Sequence, residues 1–509
     1  MAQAAVPRTG LGTKLVYGLG SVAFGTKDFG FSAFLLIFYS QVLGLPATAV
    51  SLAIMLALVS DAIFDPIIGQ ISDNWRSRLG RRHPFMYGAA IPIAIFYFLL
   101  WNPPHWQGAP LFFYLVVIAI LVRMTIACYE IPSAALAPEL STDYDERTSL
   151  MGWRFLFGSV GGGITLAVAL IFFMVATKAQ PSGILNKSGY FAYSVMAALT
   201  MMISILLSSW GTHSRIPYLK QLPVTARPSL VQLARQMAES LSNRSLLILV
   251  IGALFGGVAG GLSSTLNTYF GTYFWRFTPQ QLSVIGGAAL LAAMLSVPLA
   301  NFTGKRYGKR AGYIATALAS LFVNNIAMTL KLFGLLPSGQ TALLWIFFST
   351  LTVGVAFAIA SLILVTSMIT DIVEDSEIKT GRRSEGLFSA ALSFINKSTS
   401  GFGVLLAGVM IDLVHFPKQA SLATVDAIAP DAPRNLVLLY MPVQLVLYLA
   451  AIVLIGRYRI DRATHEHNLK TLAETAAIAE VSPASEIMAG GSGNPREADG
   501  LLPSTARDA

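Results

Sequence analysis

Apolar runs of about twenty residues, separated by short polar breaks, recur along nearly the whole chain. Twelve are legible, at about 17–43, 47–71, 84–102, 110–137, 151–176, 189–211, 243–272, 281–302, 311–333, 341–369, 385–413 and 435–456. A bilayer core about 30 Å thick takes roughly 20 helical residues to cross. Helices satisfy their own backbone hydrogen bonds there, which irregular chain does not. The pattern therefore predicts an all-α integral membrane protein with twelve transmembrane helices. A polar stretch at 212–242 separates six runs from six. The expected organisation is a six-helix bundle over 1–211, a cytoplasmic linker over 212–242, a second six-helix bundle over 243–456, and a tail over 457–509. The end of that tail is rich in Gly, Ser, Pro and Ala and reads as disordered.

The two halves echo one another. GQISDNWRSRLGRRHPF follows the second run, and NFTGKRYGKRAGY follows its counterpart, the eighth. Basic loops at matching places predict two homologous bundles related by an axis along the membrane normal, the layout of the major facilitator fold. Hydrophobic residues make up 54% and charged residues 12% of the 509, which excludes an ordinary soluble domain. The net charge of +9 does not point to a nucleic-acid partner, because the basic residues alternate loop by loop instead of pooling on one patch. Loops on one side carry Arg76, Arg78, Arg81, Arg82, Arg147, Lys305, Arg306, Lys309 and Arg310 among others; those on the opposite side carry far fewer. The positive-inside rule then places both termini in the cytoplasm, and the expected location is a cell inner membrane. Nothing at the start reads as a cleavable signal, and the one cysteine, Cys128, allows no intrachain disulfide.

Charges inside the runs are few. Asp61 and Asp65 lie one helical turn apart in the second, just before Pro66. A charged residue at mid-membrane costs about 2.5 kcal/mol or more, so such residues face a cavity and mark an ion or substrate path. The i, i+4 spacing aims both carboxylates at one face, where they can share a monovalent cation. Lys27 and Asp28 are adjacent in the first run, Arg123 and Glu130 share a face of the fourth, Arg154 opens the fifth, and Lys397 is the deep cation of the eleventh. Lys27 reads as snorkelling to the interface, and Arg154 as an interface residue. Acids on one wall and a cation on the other balance charge when the cavity is empty, and admit a ligand by substitution. Asp73, Arg81, Arg82 and Arg147 are candidates for a cytoplasmic gate of ion pairs. The glycine runs at 158–163 and 256–261 read as close helix packing or a bend, and Tyr129, Trp153, Tyr269, Tyr273 and Trp275 as core or interfacial aromatics.

KLVYGLG, FYSQVLGL, DAIFDPIIGQISD, RSRLGRRHPF, YEIPSAALAPELSTDYDERTSLMGWR and DIVEDSEIKTGRRSEGLFSAALSFINKS occur in that order between about 14 and 410. The set resembles the glycoside-pentoside-hexuronide:cation symporters, the melibiose-carrier group of the major facilitator superfamily. The resemblance implies secondary active symport of a sugar or glycoside with sodium or a proton, no cofactor, and a monomer. It implies Asp61 and Asp65 as the cation site with Ser393 as a neighbouring oxygen donor, and Glu130, Asp28, Arg123 and Asn267 toward the substrate. Lys397 would touch substrate and link the two sites. Some positions depart from the group. Without gaps, Gly25 falls where the sugar carriers place a first-helix acid, Asp28 lying a turn further on. Ala134 stands for a sugar-stacking Trp, and 130 is Glu instead of Asp. The cation machinery survives these changes; the cargo is left open, and a larger amphiphile such as a lysolipid is the alternative. Two rivals are an uncoupled facilitator and a membrane prenyltransferase, the latter imitated by Asp61 to Asp65 and Asp371 to Asp375.

Overall fold

A computed structural model describes residues 9–141, 143–177, 182–218, 244–380, 385–417 and 431–457. Most of the linker at 212–242 and nearly all of the tail at 457–509 lie outside the described residues. The chain divides into two units, Met1–Ile369 with Glu385–Arg459, and Thr370–Ser384 with Ile460–Ala509. Among the described residues every element is helical. In chain order the helices are α1 (Leu11–Leu19), α2 (Val22–Gly30), α3 (Ala47–Asn74), α4 (His83–Trp101), α5 (Ala109–Leu140), α6 (Tyr144–Val168) and α7 (Lys187–His213). They continue with α8 (Arg244–Tyr269), α9 (Pro279–Gly286), α10 (Ala288–Leu332), α11 (Gln340–Thr380), α12 (Glu385–Leu413) and α13 (Asp431–Ile455).

Ten helical stretches among the described residues are long and apolar enough to cross a bilayer. One of them, Pro279–Leu332, runs for 54 residues, more than twice what a single crossing needs. It is broken at Gly308, whose φ of 80° is in the left-handed region that glycine tolerates. Beyond that break Gly312 returns against the backbone of Thr303. The break falls in NFTGKRYGKRAGY, where the eighth and ninth runs part. The 29-residue α12 lies where the eleventh run was expected.

The first run begins earlier than its hydropathy suggests. Its helical stretch spans Leu11–Val42, and Lys27 therefore sits at mid-span instead of near an end. This stretch closes with a π turn at Phe38–Val42, and α8 is followed by another at Phe270–Phe274. The first and seventh runs thus end alike.

Helix packing repeats the same symmetry. α1 and α2 pack on α6, and α8 packs on α12, so the first run meets the fifth as the seventh meets the eleventh. Both contacts are backbone-close: a Cβ on Gly25 would lie 1.9 Å from the Gly158 carbonyl oxygen, and one on Gly261 2.1 Å from that of Ser400. Gly25→Ala is accordingly expected to lower stability by about 1–3 kcal/mol through overpacking, read as a drop in folded yield and melting temperature. Wild-type melting would show that α2 and α6 do not meet there.

α3 packs on both α5 and α12, while α12 packs on both α3 and α8, so these helices bring the halves together. At the end away from the basic loops, Asp412 of α12 accepts from the Ala47 and Thr48 amides at 3.3 and 2.8 Å. Those amides open α3 and lack helical partners, so a carboxylate from another helix caps them. Ser40 and Gln41, after α2, share hydrogen bonds with the Tyr269 hydroxyl on α8. Tyr129, Tyr269, Tyr273 and Trp275 are buried in the core, while Trp153 is half-buried.

Candidate cation and substrate site

Asp61 and Asp65 occupy successive turns of α3, and Pro66 lies inside the helix directly after them. A proline there has no N–H for the Ala62 carbonyl, which therefore lacks its helical donor beside the two acids. Across from them, Lys397 on α12 pairs with both carboxylates, with its Nζ 3.3 Å from Asp61 Oδ2 and a direct hydrogen bond to Asp65 Oδ2. From α5, Arg123 donates to the same Asp61 Oδ2 at 3.1 Å. Its guanidinium carbon is also 4.9 Å from the centre of the Phe31 ring, a cation–π distance. The two acids thus share two cations drawn from different helices, and Asp61, the more buried of the pair, holds both.

Lys27 is 3% exposed, not snorkelled, and pairs with Asp28 at 2.9 Å. Its start-of-span reading fails because the helix begins at Leu11. The Asp28 side chain is 59% exposed. Gly25, the alternative position for a first-helix acid, is instead wedged against α6, where no side chain fits. Of the two positions, Asp28 is the one whose side chain is exposed. Arg154 is also buried instead of interfacial. It reaches back to α5, donating to the Ser133 hydroxyl at 2.8 Å and the Glu130 carbonyl at 3.1 Å, and lies over Phe24. Sequence position alone hid this, because a long Arg at a helix start can reach a neighbouring helix as readily as the interface.

Glu130 faces the same region, its charge acting on Lys27, Asp65 and Lys397. No ion pair joins its carboxylate among the described residues, so its oxygens are free to accept from a ligand. Asp28, Asp61, Asp65 and Glu130 are matched by Lys27, Arg123, Arg154 and Lys397. Asn267 is exposed on α8, and among the described residues no hydrogen bond joins it to the cluster. The Ser393 side chain lies outside the described residues.

The proposed gate residues assemble in part. Arg82 is buried, pairs with Asp73 and Glu139, and donates to the Ser72 hydroxyl at 3.1 Å. Arg81 also binds Glu139, at 2.6 Å. Burial pushes the Arg82 pKa down, against the opposing pull of Glu139. Glu139 was missed by the sequence reading; its place in the last turn of α5, level with the basic loop, is the signal that marks it. Arg147 does not join Arg81 and Arg82 but donates to the carbonyls of Ser141 and Pro138 at the end of α5.

A family model described as MFS/sugar transport protein matches residues 16–462. A putative glycoside/cation symporter of Escherichia coli is 23% identical, the alignment covering 89% of this chain and 93% of the relative. The sodium-dependent lysophosphatidylcholine symporter 1 of Mus musculus is also 23% identical, over 90% of this chain and 87% of its own. A crystal structure of the nucleoside transporter NupG superposes with a TM-score of 0.61 at 14% identity, covering 88% of this chain and 99% of the other, which shows a shared fold. The prenyltransferase reading falls with these matches, and the Asp375 side chain on which it drew lies outside the described residues. A family match over most of the chain, joined to apolar helices and a charged cluster within them, makes this a multi-pass membrane transporter, not an enzyme, belonging to the MFS/sugar transport protein family.

Proposed function

We propose that the protein is a symporter that couples the movement of a monovalent cation to that of a sugar or glycoside by alternating access. The observation that carries the reading is Lys397, which ties α12 to both acids of α3. One side chain spans the two halves at the place where a cation would be held. A cation arriving at Asp61 and Asp65 weakens that tie, and Lys397 is then free to turn toward substrate beside Glu130 and Asp28. The cation raises substrate affinity in this way, and by linkage substrate raises cation affinity by the same factor. The sugar assignment draws on the family match and on the carboxylates of Asp28 and Glu130, since paired hydroxyls donate well to a carboxylate. The lysophosphatidylcholine relative favours a larger amphiphile as the second reading.

In this reading the chain lies in a cell inner membrane with both termini cytoplasmic, and one chain holds the complete site and acts as a monomer. The contacts of Asp412 with α3 and of Tyr269 with Ser40 and Gln41 then close the outer side. Counterflow with labelled glycosides, uronides and lysolipids, with and without an imposed cation gradient, tests the proposal. Glycoside accumulation that needs the gradient is expected. Equilibration without accumulation would mean a facilitator, and accumulation of lysolipid alone would favour the second reading. Glu130→Gln keeps the shape but loses the charge-assisted hydrogen bond, worth about 1.5–3 kcal/mol, so substrate affinity should fall roughly tenfold to a hundredfold. An unchanged affinity would remove Glu130 from the substrate site.

A further inference from the structure

We propose that Arg123 sets the ion specificity of this carrier: its guanidinium occupies a cation position beside Asp61, so that the Asp61–Asp65 pair does not hold a hard metal ion such as sodium or lithium. The inference rests on the symport reading and deepens it.

The two cations on the acid pair differ in how they can leave. The Lys397 side chain is 32% exposed and lies on α12, the helix that meets α3 from the other half. It has space to swing away. The Arg123 side chain is 7% exposed and lies on α5, which packs on α3 within the same half. It is held between Asp61 Oδ2 and the face of Phe31, so two different interactions fix the guanidinium in place. When Lys397 departs, Asp61 therefore remains neutralised.

Hard cations are held by shells of oxygen ligands. Here the Asp61 oxygen nearest the pair is already taken by a guanidinium N–H at 3.1 Å. A metal ion bridging Asp61 and Asp65 would sit within a few ångströms of a fixed positive charge, and like charges at that range in a poorly solvated site repel strongly. The charged groups around Asp65 are Asp61 on its own helix, Glu130 on α5 and Lys397 on α12, while Asp61 also faces Arg123 on α5 and Lys27 on α2. A proton needs no ligand shell and meets no such barrier.

The full chain in detergent tests this without any sugar. Radioactive sodium binding is measured alongside melting in sodium against choline at equal ionic strength. The wild type is expected to show neither saturable binding nor a sodium-dependent shift. Arg123→Ala, which opens the position beside Asp61, is expected to gain saturable sodium binding, with affinity raised on the order of a hundredfold or more, and to lose it again when Asp61→Asn is added. Should Arg123→Ala fail to fold, Arg123→Gln removes the charge while keeping a donor toward Asp61. Saturable sodium binding by the wild type that vanishes in Asp61→Asn would overturn the proposal. Indifference to sodium in folded Arg123 variants would overturn it as well. Neither result touches the symport reading, which stands or falls on gradient-driven uptake.

Discussion

Lys397→Ala is expected to abolish gradient-driven accumulation while leaving exchange of substrate across the membrane. Asp65 has Lys397 as its one ion-pair partner among the described residues, whereas Asp61 keeps Arg123. Without the lysine, Asp65 carries the whole electrostatic change, and the link from α3 to α12 is cut. The cation then has no base to displace, and its influence on substrate affinity should collapse. A coupling free energy of about 1–3 kcal/mol corresponds to a roughly 5–150-fold effect of one ligand on the affinity of the other, and that factor should approach unity in the variant. Uptake into vesicles with and without an imposed gradient reads accumulation, and counterflow reads exchange. The unpaired Asp65 should also lower folded yield, which Lys397→Ala combined with Asp65→Asn should restore without restoring accumulation. Full gradient-driven accumulation by Lys397→Ala would sink the coupling role, while a loss of protein abundance with normal transport per molecule would make Lys397 a structural tie only.

Much of this site was legible because lipid makes charge conspicuous. Asp61, Asp65 and Lys397 stand alone in long apolar runs, and each had to meet something inside the fold. The glycine runs were read correctly for a similar reason, since small residues repeated on a helix leave room only for another backbone. Depth was less legible. Lys27 looked interfacial because the polar residues at the start of the first helix hid its first turns, and extending that helix back to Leu11 moved Lys27 to mid-span. Partner choice was less legible still. Arg123 shares a face with Glu130, yet its guanidinium turns to Asp61 on another helix. Spacing along one helix says which side chains point together, but not which neighbour they meet. Glu139 and Asp412 escaped notice because helix ends are where charges are ordinary, and Tyr269 was read for its ring and not for its hydroxyl.

Arg82→Ala should be the most destabilising single change outside the transport site. The Arg82 side chain is 5% exposed, pairs with Asp73 and Glu139, and hydrogen-bonds Ser72, so one guanidinium serves α3 and α5 from the loop between α3 and α4. Removing one partner of a buried ion pair typically costs about 3–5 kcal/mol, because the remaining charge stays desolvated. Arg81 still reaches Glu139, which places the expected loss toward the lower end of that range. Lysine at 82 should recover only part of it, since an ammonium does not provide the planar fork that engages two carboxylates at once. Arg147 is the control: it is exposed and among the described residues binds only carbonyls at the end of α5, so Arg147→Ala should cost about 1 kcal/mol or less. Melting of the purified variants in detergent, followed by fluorescence, separates the cases. Equal melting of Arg82→Ala and Arg147→Ala would mean that the Asp73–Arg82–Glu139 cluster does not hold this end of the helices together. The predicted gap between them would instead assign the cluster a structural role that any gating movement has to preserve or explicitly break.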